Sequence, residues 1–360
     1  MIGRLLRLSL FGESHGRSVG VKIDGVPPGI KIDWDKLMNE LNRRKGIPEL
    51  STQRKETDRP EVLSGVFNGR TTGGPIVVIA ENKDVDSSYY ERIRHIPRPG
   101  HSDYSAYKKY FGFNDYRGGG MFSGRLTFGL VAAGYFAGEI LAKAGIRVKA
   151  YAKSIGHIKS ERMSIKDVFE SKNPYCPDED AYQRMLELIK KVKKEGDSVG
   201  GVVESIALDV PPGLGGFFDD DIEANLSRAF FMIPAVKGVE FGLGFGMAEM
   251  KGSEANDSFE LKKGNVITKT NNCGGILGGI SNGMPIVARA AFKPTPSIYK
   301  EQESIDLKAK ENVKLNLKGR FDPCIVPKAI PVVEAMMSFV LADEYLRWLS
   351  WKGFKSLERR

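Results

Sequence analysis

The 360-residue sequence predicts an α+β fold. The architecture expected is a β-α-β sandwich, with long buried helices between antiparallel sheets and two similar halves related by a pseudo-twofold. Three observations predict it. Short β-branched strands bounded by Gly and Pro turns recur along the chain. Two long segments are apolar on nearly every side and rich in small residues, which belongs inside a protein rather than on its surface. Several segments of the first half return in the second, in the same order.

The echoes justify the elements in turn. Residues 23–41, IDGVPPGIKIDWDKLMNEL, are echoed by 207–226, ALDVPPGLGGFFDDDIEANL. In each, a short apolar strand runs into V-P-P-G, which cannot continue a strand, and an amphipathic helix follows that Asp33 or Asp219 is placed to cap. Residues 65–80, GVFNGRTTGGPIVVIA, are echoed by 278–291, GGISNGMPIVARAA. Both read as a Gly-rich turn and then a β-branched strand. Arg117-Gly118-Gly119-Gly120 opens an apolar helix over about 126–144, and Gly319-Arg320-Phe321-Asp322 opens another over about 327–349. One domain of two interlocked halves, about 1–146 and 200–349, is expected. A charged helical insertion, about 160–198, is expected on the periphery. Its KKVKK run reads as a solvated face, with a nucleic-acid contact as the alternative.

Charge narrows the function. The chain carries 54 Lys+Arg against 45 Asp+Glu, a net +9. The first 130 residues hold 13 of the 22 Arg but only 8 of the 32 Lys. A solubility surface has no reason to prefer Arg locally. A carboxylate or phosphate site does, because the planar guanidinium binds oxyanions two bonds at a time. Cys176, Cys273 and Cys324 are odd in number and form no CxxC, which fits a reducing compartment and argues against a disulfide framework or a metal site. The N-terminus has no long apolar run, and the longest apolar stretch, 128–138, is short of a membrane span. A cytoplasmic protein with no membrane partner is expected.

Two of the four histidines sit in unusual settings. His15 lies between glycines in Gly12-Glu13-Ser14-His15-Gly16, at the end of a strand, and His101 lies in a turn, Arg98-Pro99-Gly100-His101-Ser102-Asp103. A histidine titrates near neutrality, and one placed beside Arg and Gly suits protonation of a phosphoryl leaving group. A structural turn histidine is the other reading of each motif. His95 and His157 read as surface residues. Two further segments look like anion cradles: Arg117 to Arg125 (RGGGMFSGR) at a helix start, and Lys293-Pro294-Thr295-Pro296-Ser297 at a strand end. No GxxxxGK[ST] is present, and Gly242-Leu243-Gly244-Phe245-Gly246 is not the dinucleotide fingerprint, so neither a P-loop nor a Rossmann site is expected.

In this order, GESHG with IDGVPPG, RPGHSDY, DYRGGGMFSGR, AVKGVEFGLGF, GGILGGISNG, KPTPSI and GRFDPC resemble the chorismate synthase family over about residues 9–346. The resemblance implies conversion of 5-enolpyruvylshikimate 3-phosphate to chorismate and phosphate. This is an anti-1,4-elimination that needs reduced FMN without net redox change. It also implies a β-α-β sandwich assembled as a homotetramer. NADPH enters only as an indirect reductant, and two routes to reduced flavin stay open: an external flavin reductase as partner, or an NADPH-dependent activity of the chain itself.

Carried over by motif, His15 is the acid that assists phosphate departure. His101 protonates or stabilises the reduced flavin, and Asp322 helps move a proton near its N5. Substrate contacts fall on Ser14, Arg44, Arg54, Arg98, Arg125 and Arg320. Flavin contacts fall on Met121, Phe122, Ser123, Pro234, Ala235, Gly278, Lys293 to Ser297, and Arg320. Two or three buried Arg–oxyanion pairs, each worth roughly 1.5–3 kcal/mol, suffice to anchor such a substrate. Three departures stand out: Met121 and Phe122 follow the glycines where the family often has an Arg and a small residue, Glu49 stands near a second Arg of the loop 45–51, and Asn271-Asn272-Cys273 lacks a His. Two other readings compete: an FMN-dependent oxidoreductase acting on an anionic small molecule, and a basic nucleic-acid-binding protein. The first predicts stoichiometric electron consumption. The second wants aromatic residues interleaved with basic ones on a strand, and none are present.

Overall fold

A computed structural model describes residues 1–52, 58–83, 85–161 and 163–357. Strands Arg7–Gly12, Ser18–Asp24, Ile76–Glu81 and Glu61–Ser64 form an antiparallel sheet in that spatial order. Its alternation is plain: Val19, Val21, Ile23, Ile76, Val78 and Ala80 all point into the core. A second antiparallel sheet orders Val236–Phe241, Ile286–Phe292, Gly201–Leu208, Arg147–Ile155 and Ile158–Lys159. The fold is α+β.

Two helices fill the space beside these sheets. Helix Thr127–Lys143 packs on Ser18–Asp24 and Ile76–Glu81, helix Val326–Leu357 packs on Arg147–Ile155 and Gly201–Leu208, and the helices pack on each other. Their small residues have a steric cause. A Cβ added to Gly134 would lie 2.2 Å from the Cβ of Ala335, so one helix can approach the other this closely only without a side chain there.

The V-P-P-G corners repeat bond for bond. In the first, Gly29 N–H donates to Thr71 O (2.8 Å), Thr71 N–H to Ile30 O (2.9 Å), Ile30 N–H to Thr71 Oγ1 (2.9 Å), and Thr71 Oγ1 to Pro27 O (2.7 Å). In the second, Gly213 N–H donates to Ser281 O (2.9 Å), Ser281 N–H to Leu214 O (2.9 Å), Leu214 N–H to Ser281 Oγ (2.9 Å), and Ser281 Oγ to Pro211 O (2.7 Å). The hydroxyl residue comes from the hairpin that the second echo contains, so the two echoes are parts of one corner.

Several expectations need correction. Asp33 caps its helix by accepting from Lys36 N–H, but in the second half Asp221, not Asp219, is the cap. Phe218 at φ +54° begins a single 3₁₀ turn, Phe218–Asp220, that leaves Asp219 ahead of the helix start. The C-terminal helix continues to Leu357, beyond the predicted end near 349. The insertion helix Glu179–Lys194 is not wholly solvated: Ala181, Met185 and Ile189 are buried, and Tyr182 stacks on Tyr175. Segment Gly124–Lys143 does have the length and hydropathy of a membrane span, and its apolarity is accounted for by the 67% of it that is buried inside the protein. His95 is half-buried rather than on the surface and lines a small cavity of about 160 Å³.

Candidate active site

Gly118, Gly119 and Gly120 all have positive φ, a run that side chains would strain. This turn is pinned to the end of the first strand by Ser14 N–H donating to Gly120 O (3.1 Å). It lets two histidines come close. A Cβ on Gly118 would lie 2.5 Å from His15 Nε2 and 3.0 Å from Ser14 Oγ; one on Gly119 would lie 3.2 Å from His101 Nε2. The other nitrogen of each ring is occupied. His15 Nδ1 is 2.9 Å from Ser87 Oγ, and His101 Nδ1 is 2.6 Å from Asp103 Oδ1. His15 also meets the edge of Tyr90, whose face lies under Arg98.

The turn forms one wall of a cavity of about 570 Å³. Among the described residues its lining carries seven cations, Arg44, Lys45, Arg98, Arg125, Lys293, Arg320 and Lys328, against two carboxylates, Asp58 and Asp322. A cleft lined by that excess of one sign of charge attracts an anionic ligand. Arg125 is the deepest, its side chain 1% exposed, with Nε donating to Asn82 Oδ1 (2.9 Å) and Nη1 to Asp58. Arg44 Nη1 reaches the other oxygen of Asp58 (3.2 Å). Arg98 is buried and pairs with Asp103 through Nε (2.7 Å) and Nη2 (2.8 Å). Burial alone would raise the Asp103 carboxyl. The hydrogen bonds and charges of Arg98 and His101 outweigh it and hold the group well below the usual carboxylate range.

Asp322 is held from two sides. Its Oδ1 accepts from Thr52 N–H (2.8 Å) and Thr52 Oγ1 (2.9 Å), and its Oδ2 from Lys328 Nζ (2.9 Å). Opposite polarity meets apolar wall: Phe122, Ile233, Pro234, Phe292, Ile325 and Val332 share the lining with Ser123, Thr295 and Ser297. Ala235, also at the wall, has φ +72°, a conformation a non-glycine residue adopts at a cost. Among the described residues the buried Thr295 hydroxyl has no hydrogen-bond partner, which suits a site completed by a bound group. Space, an apolar face and an unsatisfied hydroxyl fit a flat heteroaromatic cofactor carrying polar edges.

Most predicted site residues therefore meet in one place. His101, Asp322, Arg44, Arg98, Arg125, Arg320, Phe122, Ser123, Pro234, Ala235, Lys293, Thr295, Pro296 and Ser297 line the cavity. His15 and Ser14 are not among the lining residues but lie against Gly118, which is. Met121, Pro294 and Gly278 are not among the lining residues. Gly278, at φ +61° beside Gly279, occupies the tight hairpin between 276–277 and 280–281, as Asn68 and Gly69 do in the first half. Arg54 lies outside the described residues. Sequence reading missed Asp58, Asp103, Thr52, Lys328 and Ser87. Asp103 had a local signal, two residues after His101, and Lys328 lies six residues after Asp322; Asp58, Thr52 and Ser87 reach the site from distant segments.

The family profile for chorismate synthase matches residues 6–346. The chain belongs to the chorismate synthase family. It is 61% identical over 353 residues to chorismate synthase of Thermococcus kodakarensis, covering 98% of this chain and 99% of the relative. It is 60% identical over 352 residues to that of Pyrococcus abyssi, with 98% and 99% covered, and 52% identical over 351 residues to that of Korarchaeum cryptofilum, with 96% and 97% covered. A crystal structure of chorismate synthase superposes with a TM-score of 0.76 at 31% identity, covering 96% of this chain and 93% of that one. The enzyme is thus a lyase of aromatic biosynthesis acting on a small molecule: it eliminates phosphate from 5-enolpyruvylshikimate 3-phosphate to give chorismate, in a family that uses reduced flavin.

Proposed function

We propose that the seven-cation cavity is where this chain binds 5-enolpyruvylshikimate 3-phosphate together with reduced FMN. The observation that carries the reading is the pair of histidines packed on adjacent glycines at the wall of that cavity. The substrate has one phosphate and two carboxylates, and Arg44, Arg98, Arg125 and Arg320 are its anchors, with Arg54 and Ser14 as further contacts. Desolvated guanidinium–oxyanion bonds orient the ring and fix which face meets the cofactor. His15, oriented by Ser87, gives a proton from Nε2 to the departing phosphate. His101 presents Nε2 to the cofactor and holds or yields a proton there. Asp322 takes a proton, its carboxylate kept in position by Thr52 and Lys328.

Reduced FMN, when bound, supplies transient electron density to the ring carbon that loses phosphate, and Phe122, Ser123, Pro234, Ala235 and Lys293 to Ser297 would hold it. Met121 and Gly278 remain proposals for the flavin that the cavity lining does not include. NADPH acts only as an indirect reductant, through a separate flavin reductase or an activity of this chain. The layered order of sheet, two helices and sheet, and the twice-built V-P-P-G corner, support the sandwich of two related halves. Exposed Phe217, Phe218, Phe245, Phe259 and Leu261 in the second half support burial against further copies in a homotetramer. The proposed place of action is the cytoplasm.

An anaerobic assay tests this reading. Enzyme, photoreduced FMN and 5-enolpyruvylshikimate 3-phosphate are mixed, and phosphate, chorismate and flavin absorbance are followed. Equal phosphate and chorismate with the flavin still reduced is the expected result. Absence of phosphate release would refute it, and flavin oxidation matching turnover would favour the oxidoreductase.

A further inference from the structure

His101 does not stand alone. Asp103 lies two residues on, at the first turn of helix Asp103–Lys109, and faces away from the main cavity into the smaller one lined by Tyr90, Arg98 and Tyr107. Its Oδ1 is 2.6 Å from His101 Nδ1 and 2.8 Å from Arg98 Nη2; its Oδ2 accepts from Arg98 N–H (3.0 Å) and Arg98 Nε (2.7 Å). With Arg98 on it, Asp103 is an ionised carboxylate and can only accept. The Nδ1 contact therefore has one possible direction: the imidazole donates. Arg98 Nη2, 3.2 Å from the same Nδ1, is then a second donor to the shared oxygen and not a partner of the ring.

We propose that Asp103 is a positioning residue that fixes the Nδ1–H tautomer of His101 and, with the same carboxylate, the orientation of Arg98. The consequence is chemical. A neutral imidazole protonated on Nδ1 has its lone pair on Nε2, the atom that faces the triple-glycine wall. That ring can take a proton at Nε2 and return it. The other tautomer has an N–H there and cannot accept. One carboxylate thus ties the state of the ring to the guanidinium expected to grip substrate, so neither can be reoriented without the other. The inference rests on His101 acting in the site, as proposed above, but its test does not.

With only four histidines, ¹⁵N-histidine labelling of the full chain resolves each ring, and His101→Ala identifies the His101 signals. At a pH where the ring is neutral, wild-type His101 is expected to show a protonated Nδ1 and an unprotonated Nε2. Asp103→Asn is expected to move the proton to Nε2 and to lower kcat by at least about tenfold. A wild-type ring protonated on Nε2 would overturn the proposal, and needs no variant to fold. So would an unchanged tautomer in a folded Asp103→Asn protein. A His101→Ala enzyme that turned over normally would instead remove His101 from the proposed function and leave the tautomer result standing.

Discussion

The two V-P-P-G corners share the same four hydrogen bonds, whereas the two turns that open the buried helices share almost nothing. The first turn is three glycines at positive φ with a histidine against each of two of them. The second is Gly319 to Asp322, where a carboxylate is clasped by Thr52 and Lys328. The corners satisfy backbone groups that two prolines leave without strand partners, and any copy of the sequence must solve that problem in the same way. The turns have no such shared need. What repeats is scaffold, and the proposed chemistry falls on what diverges between the halves.

Breaking the divergent turns has the largest expected effect. Replacing His15 or His101 by Ala should lower turnover by about 10²–10⁴-fold while the thermal transition stays in place. Normal rates in either variant would remove that histidine from the mechanism. Lys328→Ala frees one oxygen of Asp322 and the Thr52 carbonyl. A fall in kcat of about tenfold or more is expected, with substrate affinity less affected.

Breaking the scaffold should show in stability instead. Gly134→Ala places a methyl 2.2 Å from the Ala335 Cβ. The gain in helix propensity is about 1 kcal/mol, smaller than the strain and helix displacement, so a net loss of about 1–3 kcal/mol is expected in denaturant unfolding. The scaffold also carries a pH effect, near the end of the C-terminal helix. Burial pushes the Glu344 carboxyl up to about 7, with Asp343 and Asp220 adding to the rise and Arg347 opposing it. The folded state therefore binds a proton more tightly than the unfolded one. Stability should fall as pH rises from about 4.5 to about 7, then level off. Glu344→Gln removes that slope: its stability relative to wild type should increase across this window and stay constant above it, with kcat unchanged.

How much was legible follows the same division. The corners could be read because Pro-Pro-Gly dictates its own local geometry. GESHG, RPGHSD and GRFDPC could be read because each gathers chemistry within a few residues. Asp58 and Thr52 could not, since nothing near them in sequence marks a partner that folding brings from elsewhere; Lys328 follows its partner Asp322 by only six residues but carries no motif of its own. The cap at Asp221 was misplaced because Phe218 takes positive φ, which residue type alone does not announce. Gly278 sits in a hairpin turn that accounts for its being glycine, so its flavin contact stays a proposal.

The claim that chemistry sits in the unrepeated turn is tested most directly by one pair of variants. Gly118→Ala would push a methyl to within 2.5 Å of the His15 ring at φ +60°, whereas Gly29→Ala, at φ +85° in the repeated corner, meets nothing within 4 Å. Both carry a backbone penalty of about 1 kcal/mol. Turnover per folded molecule in the anaerobic phosphate-release assay should collapse for Gly118→Ala and remain near wild type for Gly29→Ala. Equal losses in the two, or wild-type turnover by Gly118→Ala, would contradict the account.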